Sequence, residues 1–327
     1  GIDTRRLMFC ADDRNPFDLV HNGHIDETLT RATRFVREAG GRLGAVELIR
    51  MATLNAAEFF HMPYRGRLGI GTRADVAVVD DLVDFRVAMN FRNGELAARD
   101  GEMAVELEDY PYRASMLNSV HIAAPPPAEA FVVRSAVDRQ VRAIGMIPGQ
   151  LVTERRVRAM KARGGAIEPD LAQDLLKIVV IERHRGRNNF AVGFVQGFGI
   201  KRGAIAATIG HDSHNVGVIG ANDQDIAAAI AAVTRLQGGV VVVDDGNVLA
   251  ALELRVGGLM SVKAPAEVVR EKIAVYDAYR QLGGQLKDPI VAMSFLQLPV
   301  IPALKISDIS LIEMTPNGPA KVPLFVD

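Results

Sequence analysis

The sequence predicts a mixed fold, α/β at its start and α+β over the remainder. Leu7-Met8-Phe9-Cys10-Ala11 is a short apolar run that stops on Asp12 and Asp13, the layout of a buried parallel strand emerging at its C-terminal end. Helical periodicity follows at once. Beyond a run of three prolines, Pro125 to Pro127, the chain becomes β-rich with interspersed helices.

Taken in order, the opening strand places Asp12 where an α/β barrel keeps its catalytic groups; an aspartate there also suits a plain turn. Arg14-Asn15-Pro16 turns the chain. Asp26 or Thr28 then caps a helix to about Glu38, with Leu29, Ala32, Phe35 and Val36 on one face and Gly40-Gly41 ending it. His21 and His24, spaced i, i+3, read as solvent-facing or capping residues, since a metal site needs further ligands. A second helix, Ala45 to Phe60, carries Leu48, Ile49, Ala52, Ala56 and Phe59 at helical spacing. Gly66, Gly69 and Gly71 suit tight turns ahead of a strand at 76–80 and so form no dinucleotide fingerprint. Asn93-Gly94 marks a type I′ hairpin, making 76–105 a small antiparallel sheet.

The prolines at 125–127 favour an extended connection. Limited proteolysis is therefore expected between about residues 110 and 130, leaving a stable fragment from about 130 onward. Strands follow at 175–181, running into Glu182-Arg183-His184, and at 190–195. Asp223 caps a helix to Leu236, Gly238-Gly239 stops it, and 240–243 is a buried strand. Asp245-Gly246 turns a hairpin into 248–254, and Pro265 starts a helix ending at Gly283-Gly284. The most polar stretch is His211-Asp212-Ser213-His214-Asn215. It suits metal binding, acid–base chemistry, hydrogen bonding to a heterocycle, or a polar turn after an apolar strand. A triad of Asp212, Ser213 and His214 is disfavoured, because adjacent residues in a strand point to opposite faces.

A formal net charge of −1 gives no general drive toward nucleic acid or anionic lipid. No apolar run reaches the roughly 18 residues that span a bilayer. The one cysteine excludes an internal disulfide and fits a reducing compartment. A cytoplasmic protein with no nucleic-acid or membrane partner is expected. A chain that enters a buried parallel strand within about five residues of its start, with no neighbour to pair with, also suggests an N-terminal truncation.

The helix bearing Ala52-Thr53-Leu54-Asn55-Ala56-Ala57, then Gly66-x-Leu68-x-x-Gly71-x-x-Ala74-Asp75-Val76-x-Val78-x-Asp80, resembles the exit from the metal-dependent amidohydrolase barrel. Cys10-Ala11-Asp12-Asp13-Arg14, Gly23-His24-Ile25-Asp26, Glu182-Arg183-His184, His211 to Asn215, Leu286-Lys287-Asp288-Pro289 and Leu298-Pro299-Val300-Ile301-Pro302 resemble the bacterial adenine deaminase family, over essentially the whole chain. The resemblance implies the end of an amidohydrolase (β/α)8 barrel at 1–62, the C-terminal half of a β-sandwich at 63–122, and a C-terminal α+β domain at 128–327. It implies hydrolytic deamination of adenine to hypoxanthine and ammonia at a binuclear manganese or iron centre, with Asp12 as metal ligand and catalytic carboxylate. Ala11 stands where the family has a hydroxyl residue. The His-x-His pair and the middle-strand ligands are absent, so most metal ligands are expected upstream and these 327 residues are expected to be inactive alone. A homo-oligomer is expected. The last domain is expected to fold over the barrel mouth and bring His211, Asp212, Ser213 and His214 to adenine, with Glu182 and His184 in the same substrate-binding cluster. The rival readings are another amidohydrolase deaminase or cyclic-amide hydrolase, and a non-catalytic purine-binding module.

Overall fold

Residues 7–12, expected as a buried parallel strand, join no ladder in the computed structural model, which describes residues 3–12 and 14–326. Leu7 is exposed, and the run is held by the Phe9 N–H donating to the Met51 carbonyl at 3.2 Å. A parallel strand exists only through neighbours delivered by long crossovers, and the run has helices beside it instead. Asp13, the second carboxylate of the expected pair, lies outside the described residues. The described residues contain several sheets and no closed barrel.

The chain divides between Tyr110 and Pro111 into two units. In the first, Asn15 caps α1 (Pro16–His21) by accepting from the Phe17 N–H. Helix α2 (Ile25–Glu38) starts ahead of the expected caps, and the Asp26 carboxylate accepts instead from the His24 N–H at 2.6 Å. Leu29 and Thr33 are buried, but Phe35, expected on the same face, is exposed. The single helix expected over 45–60 is two, α3 (Ala45–Ala52) and α4 (Leu54–Phe59). The break is at Thr53, whose hydroxyl donates back to the Ile49 carbonyl at 2.8 Å, a bond that bends helices. Buried Asn55 then donates to the Thr4 and Leu7 carbonyls at 2.8 and 2.7 Å, tying the start of the chain to α4. Strands β1 (Val76–Val79), β2 (Val87–Arg92), β3 (Glu95–Arg99) and β4 (Glu102–Met103) form one antiparallel sheet in chain order. Asn93 (φ 54°) and Gly94 (φ 87°) are both left-handed, as the type I′ turn requires.

The second unit opens with α5 (Ala114–Leu117) and β5 (Val133–Arg134), and β5 joins β8 (Ala162–Arg163) and β9 (Ala166–Ile167) in a small sheet. Its centre is a larger sheet built from β6 (Arg139–Met146), β7 (Thr153–Met160), β10 (Leu175–Ile181), β11 (Phe190–Gln196), β12 (Ala204–Ala207), β13 (Val216–Gly220), β14 (Gly239–Asp244), β15 (Asn247–Glu253) and β19 (Phe325–Val326). The order is β15-β14-β12-β13-β10-β11-β6-β19, with β7 also on β6; only the β11–β6 pair is parallel. Helix α6 (Asp223–Arg235) covers one face, while α7 (Pro265–Gln281) and α8 (Pro289–Leu296) cover the other. Alternation sorts the side chains between them. Val179 and Ile181 pack toward α6, and Ile178 and Val180 toward α7 and α8. With both faces covered, β10 is buried along its whole length and reads as an apolar run interrupted only at Lys177. Its one charge, Lys177, is neutralised by Asp223 and donates to the Phe131 carbonyl at 2.9 Å. Strands β16 (Leu304–Ile306), β17 (Leu311–Thr315) and β18 (Gly318–Val322) form a further antiparallel sheet.

Residues 114–122, expected to be part of the connection, belong to this second unit. Val120 and Ile122 are buried with the α6 layer, and the Gln237 amide bonds both the N–H and the carbonyl of Val120. The prolines at 125–127 therefore lie inside the unit. The exposed stretch without regular structure is 106–111. Limited proteolysis is expected to cut there and leave a fragment beginning near residue 111; N-terminal sequencing of a product starting near 130 would refute this.

Candidate functional site

Strand register assembles the polar cluster. Ile181, the last residue of β10, pairs with Val216, the first of β13, and Ala207 of β12 pairs with Gly217. The segment leaving β10, Glu182-Arg183-His184, thus meets the turn that joins β12 to β13 and carries His211 to Asn215. Asp12 belongs to the first unit; Glu182, His184, His211, Asp212, Ser213 and His214 belong to the second, where the two predicted stretches touch. His184 Nε2 lies 2.7 Å from the Ser213 carbonyl.

Arg183, between the two predicted residues, is the keystone. Its guanidinium is 1% exposed and donates to the carbonyls of Ser119 (3.0 Å), Gly257 (2.9 Å) and His214. Burial pushes its pKa down to about 10. Glu182 is committed to its own loop: its carboxylate accepts from the backbone N–H groups of His184, Arg185 and Arg187. Burial alone would raise its pKa, but these donors outweigh burial and hold the carboxyl below the usual range. A depressed folded-state value contributes stability that is present above the unfolded pKa of about 4.3 and is lost as pH falls through the folded one. Glu182→Gln is expected to lower stability at neutral pH and to flatten its fall below about pH 4.3. Acid titration followed by circular dichroism checks this, and an unchanged acid limb would refute it.

His211 Nδ1 is hydrogen-bonded to the Asp212 carboxylate, and its backbone N–H donates to the Ser294 carbonyl at 3.0 Å. The His211 ring lies 5.0 Å from Phe295 and 6.1 Å from His214, roughly parallel to the latter. Burial pushes the His214 pKa down, and the nearby charges of Arg183, His211 and His184 add to this against Asp212. The lowered pKa favours the neutral imidazole, which donates from one nitrogen and accepts at the other, and Nδ1 accepts from the Gly210 N–H at 3.4 Å. Asp212 and Ser213 are exposed. The arrangement suits hydrogen bonding to a flat heterocycle and proton exchange. No three His, Cys, Asp or Glu side chains among the described residues are grouped to hold a metal. Sequence reasoning passed over Ser294, Phe295, Gln297 and Asp308, which tertiary packing brings under the turn; Asn215 Nδ2 donates to Asp308 at 3.1 Å. No local periodicity marks them.

The amidohydrolase family matches residues 5–97, and the adenine deaminase C-terminal domain family matches residues 150–317. The chain is 42% identical over 311 residues to an adenine deaminase of Methylobacterium nodulans, covering 94% of this chain and 52% of the relative. It is 38% identical over 312 residues to that of Desulfatibacillum aliphaticivorans (95% and 53%) and 38% identical over 325 residues to that of Methanothrix thermoacetophila (99% and 55%). The chain spans about half the length of the curated relatives it matches.

Proposed function

The chain belongs to the adenine deaminase C-terminal domain family, and from that premise we propose that the protein replaces the C6 amino group of adenine with oxygen, releasing hypoxanthine and ammonia. One observation carries the reading above others: an amidohydrolase match and a deaminase-specific match follow each other in one chain, 99% of which aligns with a single adenine deaminase. Water is a weak nucleophile near neutral pH, and a divalent metal supplies the lowered water pKa that such hydrolases need. The described residues do not by themselves form a metal centre. Asp12 would be this chain's ligand to a binuclear manganese or iron site.

Asp12 also carries the proton from the attacking water toward the ring and the leaving amine. His211, Asp212, Ser213 and His214 hold the purine, His214 as a neutral donor–acceptor. His184, bonded to the Ser213 carbonyl, and Glu182, bonded to the His184 N–H, keep the turn in place. No helix among the described residues is long and apolar enough to cross a membrane; a cytoplasmic homo-oligomer goes with the same proposal. These 327 residues alone are expected to be inactive.

The test is ammonia and hypoxanthine formation by the full-length protein, run beside a panel of other cyclic amidines and cyclic amides. Turnover of a cyclic amide in preference to adenine would favour the other amidohydrolase chemistry. Adenine binding with no product would favour a purine-binding module.

A further inference from the structure

Beneath the turn lie buried side-chain atoms with no hydrogen-bond partner: Nε2 and Oε1 of Gln297, Oδ1 of Asn215 and Oγ of Ser310. Gln297 is 2% exposed and Asn215 4%. Gln297 and Asn215 lie at the β12–β13 end of the larger sheet, and Ser310 lies in the turn between β16 and β17. Asn215 immediately precedes β13 and bonds Asp308, two residues before Ser310. Gln297 follows α8 and lies against bare backbone: a Cβ on Gly210 would come within 2.2 Å of Nε2, and one on Gly217 within 2.6 Å. A buried amide left unmet costs free energy that an apolar side chain of the same size avoids. Packing alone would be better served by Met at 297, which fills the same space beside Gly210 and Gly217 without an unmet amide. The chain instead places there a carboxamide whose donor and acceptor are both without a partner.

We propose that this end of the sheet is a recognition socket for the polar edge of a planar heterocycle, with Gln297 as its specificity-determining residue. The proposal rests on the adenine reading and deepens it. Adenine presents a ring-nitrogen acceptor beside an amino donor, and hypoxanthine presents a ring N–H beside a carbonyl. A carboxamide carries donor and acceptor side by side and matches either edge by a half-rotation, which a carboxylate or an ammonium does not. Oδ1 of Asn215 adds an acceptor, and the Ser310 hydroxyl adds a group that serves as either. The paired rings of His211 and His214 lie in the turn above. Exposed Asp212 and Ser213 put the approach on the turn side.

The experiment is calorimetric titration of the full-length protein with adenine and with hypoxanthine, for wild type, Gln297→Met and Ser310→Ala, with Tm measured on each. Gln297→Met is expected to keep or raise Tm while weakening both ligands about tenfold or more. Unchanged affinity in a folded Gln297→Met protein overturns the socket and leaves an amide that meets internal water only; a wild type that binds neither purine overturns it too. Should Gln297→Met fail to fold, Ser310→Ala decides: severalfold weaker binding supports the socket and unchanged binding overturns it. Ammonia release by the same wild-type preparation scores the deaminase reading separately. Release with unaltered Gln297→Met binding sinks the socket alone, and lost binding without release sinks the activity alone.

Discussion

Asp12→Asn in the full-length protein is expected to lower kcat for adenine by about 10² to 10⁴-fold while leaving the fold intact. Asn is nearly isosteric with Asp and shares its tolerance of the left-handed region, where Asp12 sits at φ 50°. What it loses is the negative charge and the ability to carry a proton. In the proposed role Asp12 both ligates metal and moves a proton, and one substitution would remove both functions, so the effect should appear in kcat far more than in KM. Steady-state kinetics with circular dichroism on the same sample measure it. Wild-type kcat in the variant would remove Asp12 from the reaction.

Arg183→Met is expected to destabilise the second unit by about 3–5 kcal/mol, since up to three buried carbonyls lose their donor at roughly 1–3 kcal/mol each and the relief of a buried charge offsets part of the loss. The guanidinium joins three separate segments through the Ser119, His214 and Gly257 carbonyls, and its removal leaves those acceptors without their donor. The fit is close: a Cβ on Gly258, itself left-handed at φ 72°, would come within 2.7 Å of Arg183 Nη1. Lysine is a poor substitute, since one ammonium cannot span the reach of a planar fork. Urea unfolding followed by circular dichroism gives the number. A loss below about 1 kcal/mol would mean that the carbonyls find other donors and that Arg183 is not the keystone.

Local physics was legible where it acts alone. The Asn93-Gly94 turn, the Asp245-Gly246 hairpin and the proline start of α7 all follow from backbone preference, which a neighbouring segment does not alter. The polarity of His211 to Asn215 was visible for the same reason, as was its place after an apolar strand. Tertiary structure decided the rest. Apolar run 7–12 is a strand only if neighbours pair with it, and α4 separates from α3 because Thr53 bonds backward and Asn55 is drawn to the Thr4 and Leu7 carbonyls. The unit boundary falls at 110 and not at the prolines, because Val120 and Ile122 find a core to enter. Above all, the pairing of Ile181 with Val216 joins residues 182–184 to 211–214, and Arg183 then locks them. A contact made by strand register between segments some thirty residues apart, and by a buried side chain bonded to three distant carbonyls, leaves no mark on either segment read by itself.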